Sequence, residues 1–129
     1  MPTPRSSPPP LPARLAIGIG FFSGTWMVVN GLHHAITGDF VRWHGAVGAW
    51  TGLVRRAGYD PTRFGPVFIG LGVLWLLAGN LFLYRPTRSH WRGMLALSLI
   101  SLGYLGAYTP LAVLQLLCLT LPATRNALE

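Results

Sequence analysis

The sequence predicts an all-α integral membrane protein with three transmembrane helices and one amphipathic helix at the membrane interface. Only 10% of its 129 residues are charged and 51% are hydrophobic, whereas a typical soluble domain carries about 25% charged residues. Three uncharged runs, over residues 15–36, 66–84 and 93–121, reach the length of about 20 residues that a helix needs to cross a bilayer. Tryptophans and arginines at the ends of the runs are typical anchors at the membrane interface.

The chain divides into three parts by composition. Residues 1–13 hold six of the eleven prolines and predict a disordered leader. Residues 14–122 form a single helical membrane domain, and residues 123–129 form a short polar tail.

The first predicted helix, over residues 15–36, would be about 33 Å long. Ala35 and Thr37 make a poor signal-peptidase site, so we expect the helix to be retained in the mature protein. Gly20 and Gly24 form a GxxxG pair, which permits close approach of another helix. They are the predicted helix-contact residues.

Residues 40–57 have an amphipathic pattern, because apolar side chains recur at steps of three and four. These side chains are Phe40, Trp43, Val47, Trp50, Val54 and Ala57. Asp39 is suited to cap the start of this helix. Its uncharged part, residues 43–54, would be only about 18 Å long, so an interfacial helix is favoured. The alternative is that this segment also crosses, which would give four transmembrane helices.

The last uncharged run, residues 93–121, would form a helix of about 43 Å, longer than one untilted crossing needs. A turn between Tyr104 and Pro110 would divide it into two undersized helices. One long helix kinked at Pro110 is therefore predicted, because Gly106, four residues earlier, relieves the clash with the proline ring.

The arginines bear on location and orientation. The ten arginines are dispersed between the apolar runs, which predicts contact with lipid and disfavours nucleic acid as a partner. With three crossings they divide five against five between the two sides. If residues 40–57 also cross, the division is six against four and favours a cytoplasmic N-terminus. Rich use of Arg, Ala, Gly and Pro suits a GC-rich bacterial genome, so the predicted location is a bacterial inner (cytoplasmic) membrane.

Charged residues inside spans usually mark transport or proton pumping. The three carboxylates, Asp39, Asp60 and Glu129, all lie outside the predicted spans, which argues against a proton-coupled exporter. The single cysteine, Cys118, excludes a disulfide relay within one chain. Asn30, Asn80 and Gln115 are polar residues within the spans, and interhelical hydrogen bonds are their expected role. No catalytic residues and no enzyme activity are predicted.

Three histidines are the candidate cofactor ligands: His33, His34 and His44. One of them would suffice for a chlorophyll-type pigment, whereas a bis-histidine haem would pair His33 or His34 with His44. His33 and His34 cannot grip one ion from one helix face, because neighbouring residues point about 100° apart. The alternative interpretation is that they hydrogen-bond water, headgroups or carbonyls. No metal site is predicted.

These observations favour a non-catalytic accessory or structural subunit of a larger integral membrane complex, such as a photosynthetic or respiratory one. Its partners would be other membrane protein subunits and lipid. Two alternatives stay open. One is a small membrane protein that binds a pigment or haem through histidine, and the other is a stand-alone bundle that binds lipid or a hydrophobic ligand.

Overall fold

The computed structural model describes residues 7–42, 50–102 and 108–128. The regular elements in these ranges are all helices, and none is a strand. The helices in these ranges are α1 (Leu11–Thr37), α2 (Trp50–Arg56), α3 (Gly65–Tyr84), α4 (Arg88–Leu102), α5 (Tyr108–Thr120) and α6 (Pro122–Asn126). A short 3-10 helix, Pro61–Phe64, precedes α3. The predicted all-helical class is confirmed for the described residues.

Four of the helices form a closed antiparallel bundle. Helix α1 packs against α3 and α5, and α4 packs against the same two helices from the other side. Side-chain hydrogen bonds connect neighbouring helices of the bundle. The indole Nε1 of Trp75 donates to Ser101 Oγ at 3.1 Å between α3 and α4, and Ser98 Oγ donates to Gln115 Oε1 at 3.0 Å between α4 and α5.

The tightest contact in the bundle joins α1 and α3 through glycines. A β-carbon placed on Gly72 would lie 2.6 Å from the carbonyl oxygen of Gly24, and one placed on Gly31 would lie 2.8 Å from the carbonyl oxygen of Gly65. In each helix the two glycines are seven residues apart, so they lie on the same side after two turns. The two backbones therefore touch directly at two levels.

Helix α1 begins at Leu11, within the stretch predicted as leader. Pro12 lies in the first helical turn, where a missing N–H costs no hydrogen bond, and Ala13 is buried. Residues 11–13 are thus helical and not disordered. The helix ends at Gly38, whose φ of 78° is left-handed and whose N–H donates to the His34 carbonyl.

The prediction of one long kinked helix over residues 93–121 is wrong. The indole Nε1 of Trp91 donates to the carbonyl oxygen of Leu119 at 2.8 Å, whereas 28 residues of continuous helix would separate them by about 42 Å. Helices α4 and α5 form an antiparallel hairpin, and Pro110 lies in the first turn of α5, where proline is tolerated. Residues 103–107, between the two helices, lie outside the described residues.

The prediction for residues 40–57 is wrong at its start. Phe40 to Arg42 are not helical, and helix α2 covers only Trp50–Arg56. Asp39 does not cap a helix. Its carboxylate instead accepts the N–H of Phe40 and forms an ion pair with Arg42 at 2.9 Å, and the hydrogen bond from Arg42 holds the pKa of Asp39 below its usual range.

The same segment does not traverse the bundle. The rings of Phe40 and Trp50 lie 5.1 Å apart, whereas ten residues of continuous helix would separate them by about 15 Å. The alternative in which residues 40–57 form a crossing helix is therefore wrong. Trp43, His44 and Val47 lie outside the described residues.

Among the described residues, two helical segments are long and apolar enough to cross a membrane. They are Leu11–Thr37, with 27 residues, and Pro61–Tyr84, with 24 residues. Both coincide with predicted spans. Helices α4 and α5, with 15 and 13 residues, are shorter.

Polar and apolar side chains are distributed unusually between the interior and the surface. Buried polar side chains lie between the helices: Ser23, Asn30, Ser98, Ser101 and Gln115. Large apolar side chains are exposed on each bundle helix, among them Phe22 (57%), Leu77 (54%), Leu99 (59%) and Leu117 (58%). The outside of the bundle is thus apolar along its length.

Candidate functional site

Aromatic side chains gather at the end of the bundle where α1 ends and α3 begins. We call His34, Phe40, Trp50, Phe64 and Phe68 the aromatic end cluster. The imidazole of His34 stacks on Phe40, with ring centroids 4.3 Å apart, and Trp50 meets Phe68 edge to face at 4.9 Å. Such pairs add to the free energy gained by burial. The cluster therefore fixes the loop after α1 and helix α2 against the bundle.

Two hydrogen bonds position residues of the aromatic end cluster. Asn30 Oδ1 accepts the backbone N–H of Val41 at 2.8 Å, which holds Phe40 against the end of α1. The carboxylate of Asp60 accepts the N–H of Thr62 at 3.0 Å and so starts the 3-10 helix that carries Phe64. Hydrogen bonds from Thr62 hold the pKa of Asp60 below its usual range.

An apolar side pocket of about 260 Å³ opens next to the aromatic end cluster. It is lined by Met27, Trp50, Val54, Phe64, Val67, Phe68, Leu71 and Ile100. These residues come from α1, α2, α3 and α4 and from the 3-10 helix. Since all eight side chains are apolar or aromatic, the pocket is suited to hold an apolar group.

Two of the three predicted histidine ligands, His33 and His34, lie among the described residues. His33 is exposed, whereas His34 is partly buried in the aromatic end cluster, with Nδ1 against Gly65. Nε2 of His34 is buried and has no hydrogen-bond partner among the described residues. His44 lies outside the described residues, so its pairing with His33 or His34 stays a prediction.

The fourth histidine lies at the opposite end of the bundle. Nδ1 of His90 is 2.6 Å from the carbonyl oxygen of Arg85, which fixes the connector between α3 and α4. Among the described residues no three His, Cys, Asp or Glu side chains are placed to hold a metal ion.

The two predicted contact glycines face helix α3 of the same chain. A β-carbon on Gly24 would lie 2.8 Å from Trp75 Cβ, and one on Gly20 would lie 3.1 Å from Trp75 Cε3. Both glycines are buried. The contact they make is therefore internal, and this surface is not open to another subunit.

The polar residues of the spans differ in their roles. Gln115 joins three helices, because its Nε2 donates to the Ala16 carbonyl at 2.8 Å while its Oε1 accepts from Ser98. Asn30 holds the loop after α1, and Asn80 only donates to the Leu76 carbonyl of its own helix. Sequence reasoning missed the partners Ser98 and Ser101, although their spacing of three residues places them on one side of a helix.

No protein-family model matches the sequence, and no curated protein or solved structure is significantly similar to it.

Proposed function

We propose that the chain is an integral membrane protein that serves as a non-catalytic subunit of a larger membrane complex, such as a respiratory or photosynthetic one. The observation that supports membrane placement is the apolar outer surface around hydrogen-bonded polar residues. In water, the exposed side chains of Phe22, Leu77 and Leu117 would be unfavourable. In a bilayer these side chains face lipid, while the polar side chains of Gln115 and Ser98 form a hydrogen bond with each other in the interior.

In this proposal all four bundle helices lie in the membrane, and both chain termini are on one side. The arginines described at that end are Arg14, Arg85, Arg88, Arg92 and Arg125, against Arg42, Arg55, Arg56 and Arg63 at the other. The excess, five against four, supports a cytoplasmic N-terminus in a bacterial inner membrane.

The apolar side pocket supports the role as a subunit. It opens between helices on the apolar surface, and its volume of about 260 Å³ accommodates a large apolar side chain from a neighbouring membrane helix. Ile100, 55% exposed, forms part of its rim. Filling such a pocket adds van der Waals contacts that lipid chains do not make with the same fit.

A histidine-ligated pigment or haem is the second candidate function. Its specific support is His34, because a buried imidazole nitrogen that has no hydrogen-bond partner among the described residues is unusual. A single imidazole nitrogen is a sufficient axial ligand for either type of cofactor. The movement of Phe40 or of the neighbouring loop would be needed to admit the macrocycle.

Purification of the full chain from its native membrane in mild detergent tests the two candidates. The subunit role predicts a stoichiometric larger complex whose recovery falls several-fold in Ile100→Trp, which fills the pocket rim. Leu99→Trp is the matched control, since Leu99 is equally exposed but does not line the pocket.

Three results would contradict the subunit role. One is a colourless small oligomer as the only species, which favours a stand-alone lipid-binding bundle. Another is a visible absorption band that the isolated chain carries and His34→Ala loses, which favours the cofactor role. The third is equal recovery of the complex with Ile100→Trp and Leu99→Trp.

A further inference from the structure

A second pocket, of about 460 Å³, lies at the end of the bundle opposite the aromatic end cluster. It is lined by Arg88, Trp91 and Arg92 of α4 and by Pro122, Arg125, Asn126 and Leu128 of the C-terminal segment. We call it the basic end pocket. Its volume lies in the range of about 300–1,000 Å³ that is common for small-molecule sites.

Three arginines line this pocket, and none of them forms an ion pair with a described carboxylate. Arg88 and Arg92 are four residues apart on α4, so they lie on the same side of the helix, where like charges repel. Arg125 of α6 adds a third positive charge. The described carboxylates, Asp39 and Asp60, flank the ends of α1 and α3 at the far end of the bundle. The pocket is therefore electrostatically suited to an anion.

The two helices that carry these arginines, α4 and α6, are each tied to the end of α5 by a hydrogen bond. The indole Nε1 of Trp91 donates to the carbonyl oxygen of Leu119 at 2.8 Å, which ties α4 to the end of α5. Thr124 is fully buried, and its hydroxyl donates to the carbonyl oxygen of Cys118 at 2.7 Å, which ties α6 to α5. Because Thr124 is fixed in this way, the adjacent residue Arg125 is held at the pocket beside α4. A site assembled before binding loses less entropy when its ligand arrives.

We propose that the basic end pocket binds the phosphate group of an anionic phospholipid. Guanidinium groups bind phosphate oxygens through paired N–H donors, which makes arginine the side chain of choice for this group. Basic pockets between membrane helices are suited to anionic headgroups. The proposal rests on the membrane placement argued above, and it does not depend on the role as a subunit.

The surface beside the pocket favours a lipid over free phosphate. Leu117 and Leu121 of the α5 end are exposed one helical turn apart, and Leu121 adjoins Pro122 of the pocket. On α4, Leu99 is exposed seven residues beyond Arg92, on the same side of the helix. Acyl chains of a lipid whose phosphate lies in the pocket would therefore run over an apolar surface.

The test uses the full chain in nanodiscs of phosphatidylcholine with or without phosphatidylglycerol. Retained lipid is counted by native mass spectrometry after transfer to detergent. The variant Arg88→Gln/Arg92→Gln/Arg125→Gln is compared with the matched control Arg55→Gln/Arg56→Gln/Arg63→Gln, which removes three exposed arginines from the other end. Wild type and control are expected to retain phosphatidylglycerol. The pocket variant should bind it at least about tenfold more weakly, since charge-assisted hydrogen bonds are lost.

A second variant, Arg88→Lys/Arg92→Lys/Arg125→Lys, keeps the positive charge of the pocket. It provides a test of the proposal even if the glutamine variant misfolds. Intermediate retention by this variant supports binding through paired guanidinium donors. Equal retention by all variants would overturn the proposal, as would equal loss in the pocket variant and the control. Displacement of the lipid by millimolar inorganic phosphate would assign the pocket to free phosphate instead. Failure of wild type to enter nanodiscs would overturn membrane placement itself, together with this inference.

Discussion

Gly72→Leu is expected to prevent α1 and α3 from packing against each other and to destabilise the bundle by about 3 kcal/mol or more. A β-carbon at this position would lie 2.6 Å from the carbonyl oxygen of Gly24 and 2.7 Å from Val28 Cγ2. The oxygen belongs to the helix backbone and has no rotamer to change, so the helices must separate. Reversible unfolding in mixed micelles, followed by circular dichroism, would measure the loss.

Gly70→Leu is the matched control for this prediction. Gly70 lies on the same helix, two residues earlier, but a β-carbon there meets no atom within 4 Å. Both variants add the same side chain to an apolar helix, so their membrane insertion should be equal. If Gly70→Leu destabilises the bundle as much as Gly72→Leu, the close contact between α1 and α3 is not the reason for the glycine at position 72.

Trp75→Ala is expected to destabilise the bundle by about 3–5 kcal/mol, since it removes a large side chain from the interior. Trp75 is only 1% exposed, and its ring and β-carbon cover Gly20 and Gly24 of α1 while its indole Nε1 reaches Ser101 of α4. One side chain thus joins three helices. The same unfolding measurement in mixed micelles applies.

Trp75→Phe separates the two contributions of this residue. Phenylalanine keeps an aromatic ring against α1 but cannot donate to Ser101, and hydrogen bonds between membrane helices contribute about 0.6 kcal/mol on average. The loss with phenylalanine should therefore be much smaller than the loss with alanine. Equal losses would mean that the hydrogen bond, and not the packing, carries the contribution of Trp75.

The helices of the first two spans could be predicted from composition, because a long uncharged run has few alternatives to a helix. Residues 15–36 and 66–84 lie within α1 and α3. Local signals at helix ends were less informative. Pro12 permits the earlier start of α1, and Asp39, which resembles a capping residue, instead pairs with Arg42.

The hairpin of α4 and α5 could not be predicted from the length of its apolar run. The decision between one kinked helix and two antiparallel helices depends on which side chains meet across the bundle. Ser98 meets Gln115, and Trp91 meets Leu119, only when the chain turns back. In a single helix these polar groups would face lipid without those partners.

Only parts of the candidate site could be predicted from the sequence. Phe40 and Trp50 were expected on one apolar side of a helix, and they do lie close together, although Phe40 is not helical. Their contacts with Phe68 join residues that are far apart in the chain, which periodicity does not reveal. The glycine contact had a visible signal on both helices, since Gly24 and Gly31, like Gly65 and Gly72, are seven residues apart. The pairing of the two sets depends on the fold.

Labelling of single cysteines in intact membranes tests whether the antiparallel four-helix bundle is embedded in the membrane. In a Cys118→Ser background, cysteine replaces Ser7, Arg56, Leu74 or Asn126 in turn, and a membrane-impermeant maleimide is added to either side. If the bundle is embedded in the membrane, Ser7 and Asn126 should be labelled from one side and Arg56 from the other. Leu74, although 53% exposed on the bundle surface, should be protected by lipid. Labelling of Ser7 and Asn126 from opposite sides, or ready labelling of Leu74, would contradict membrane embedding.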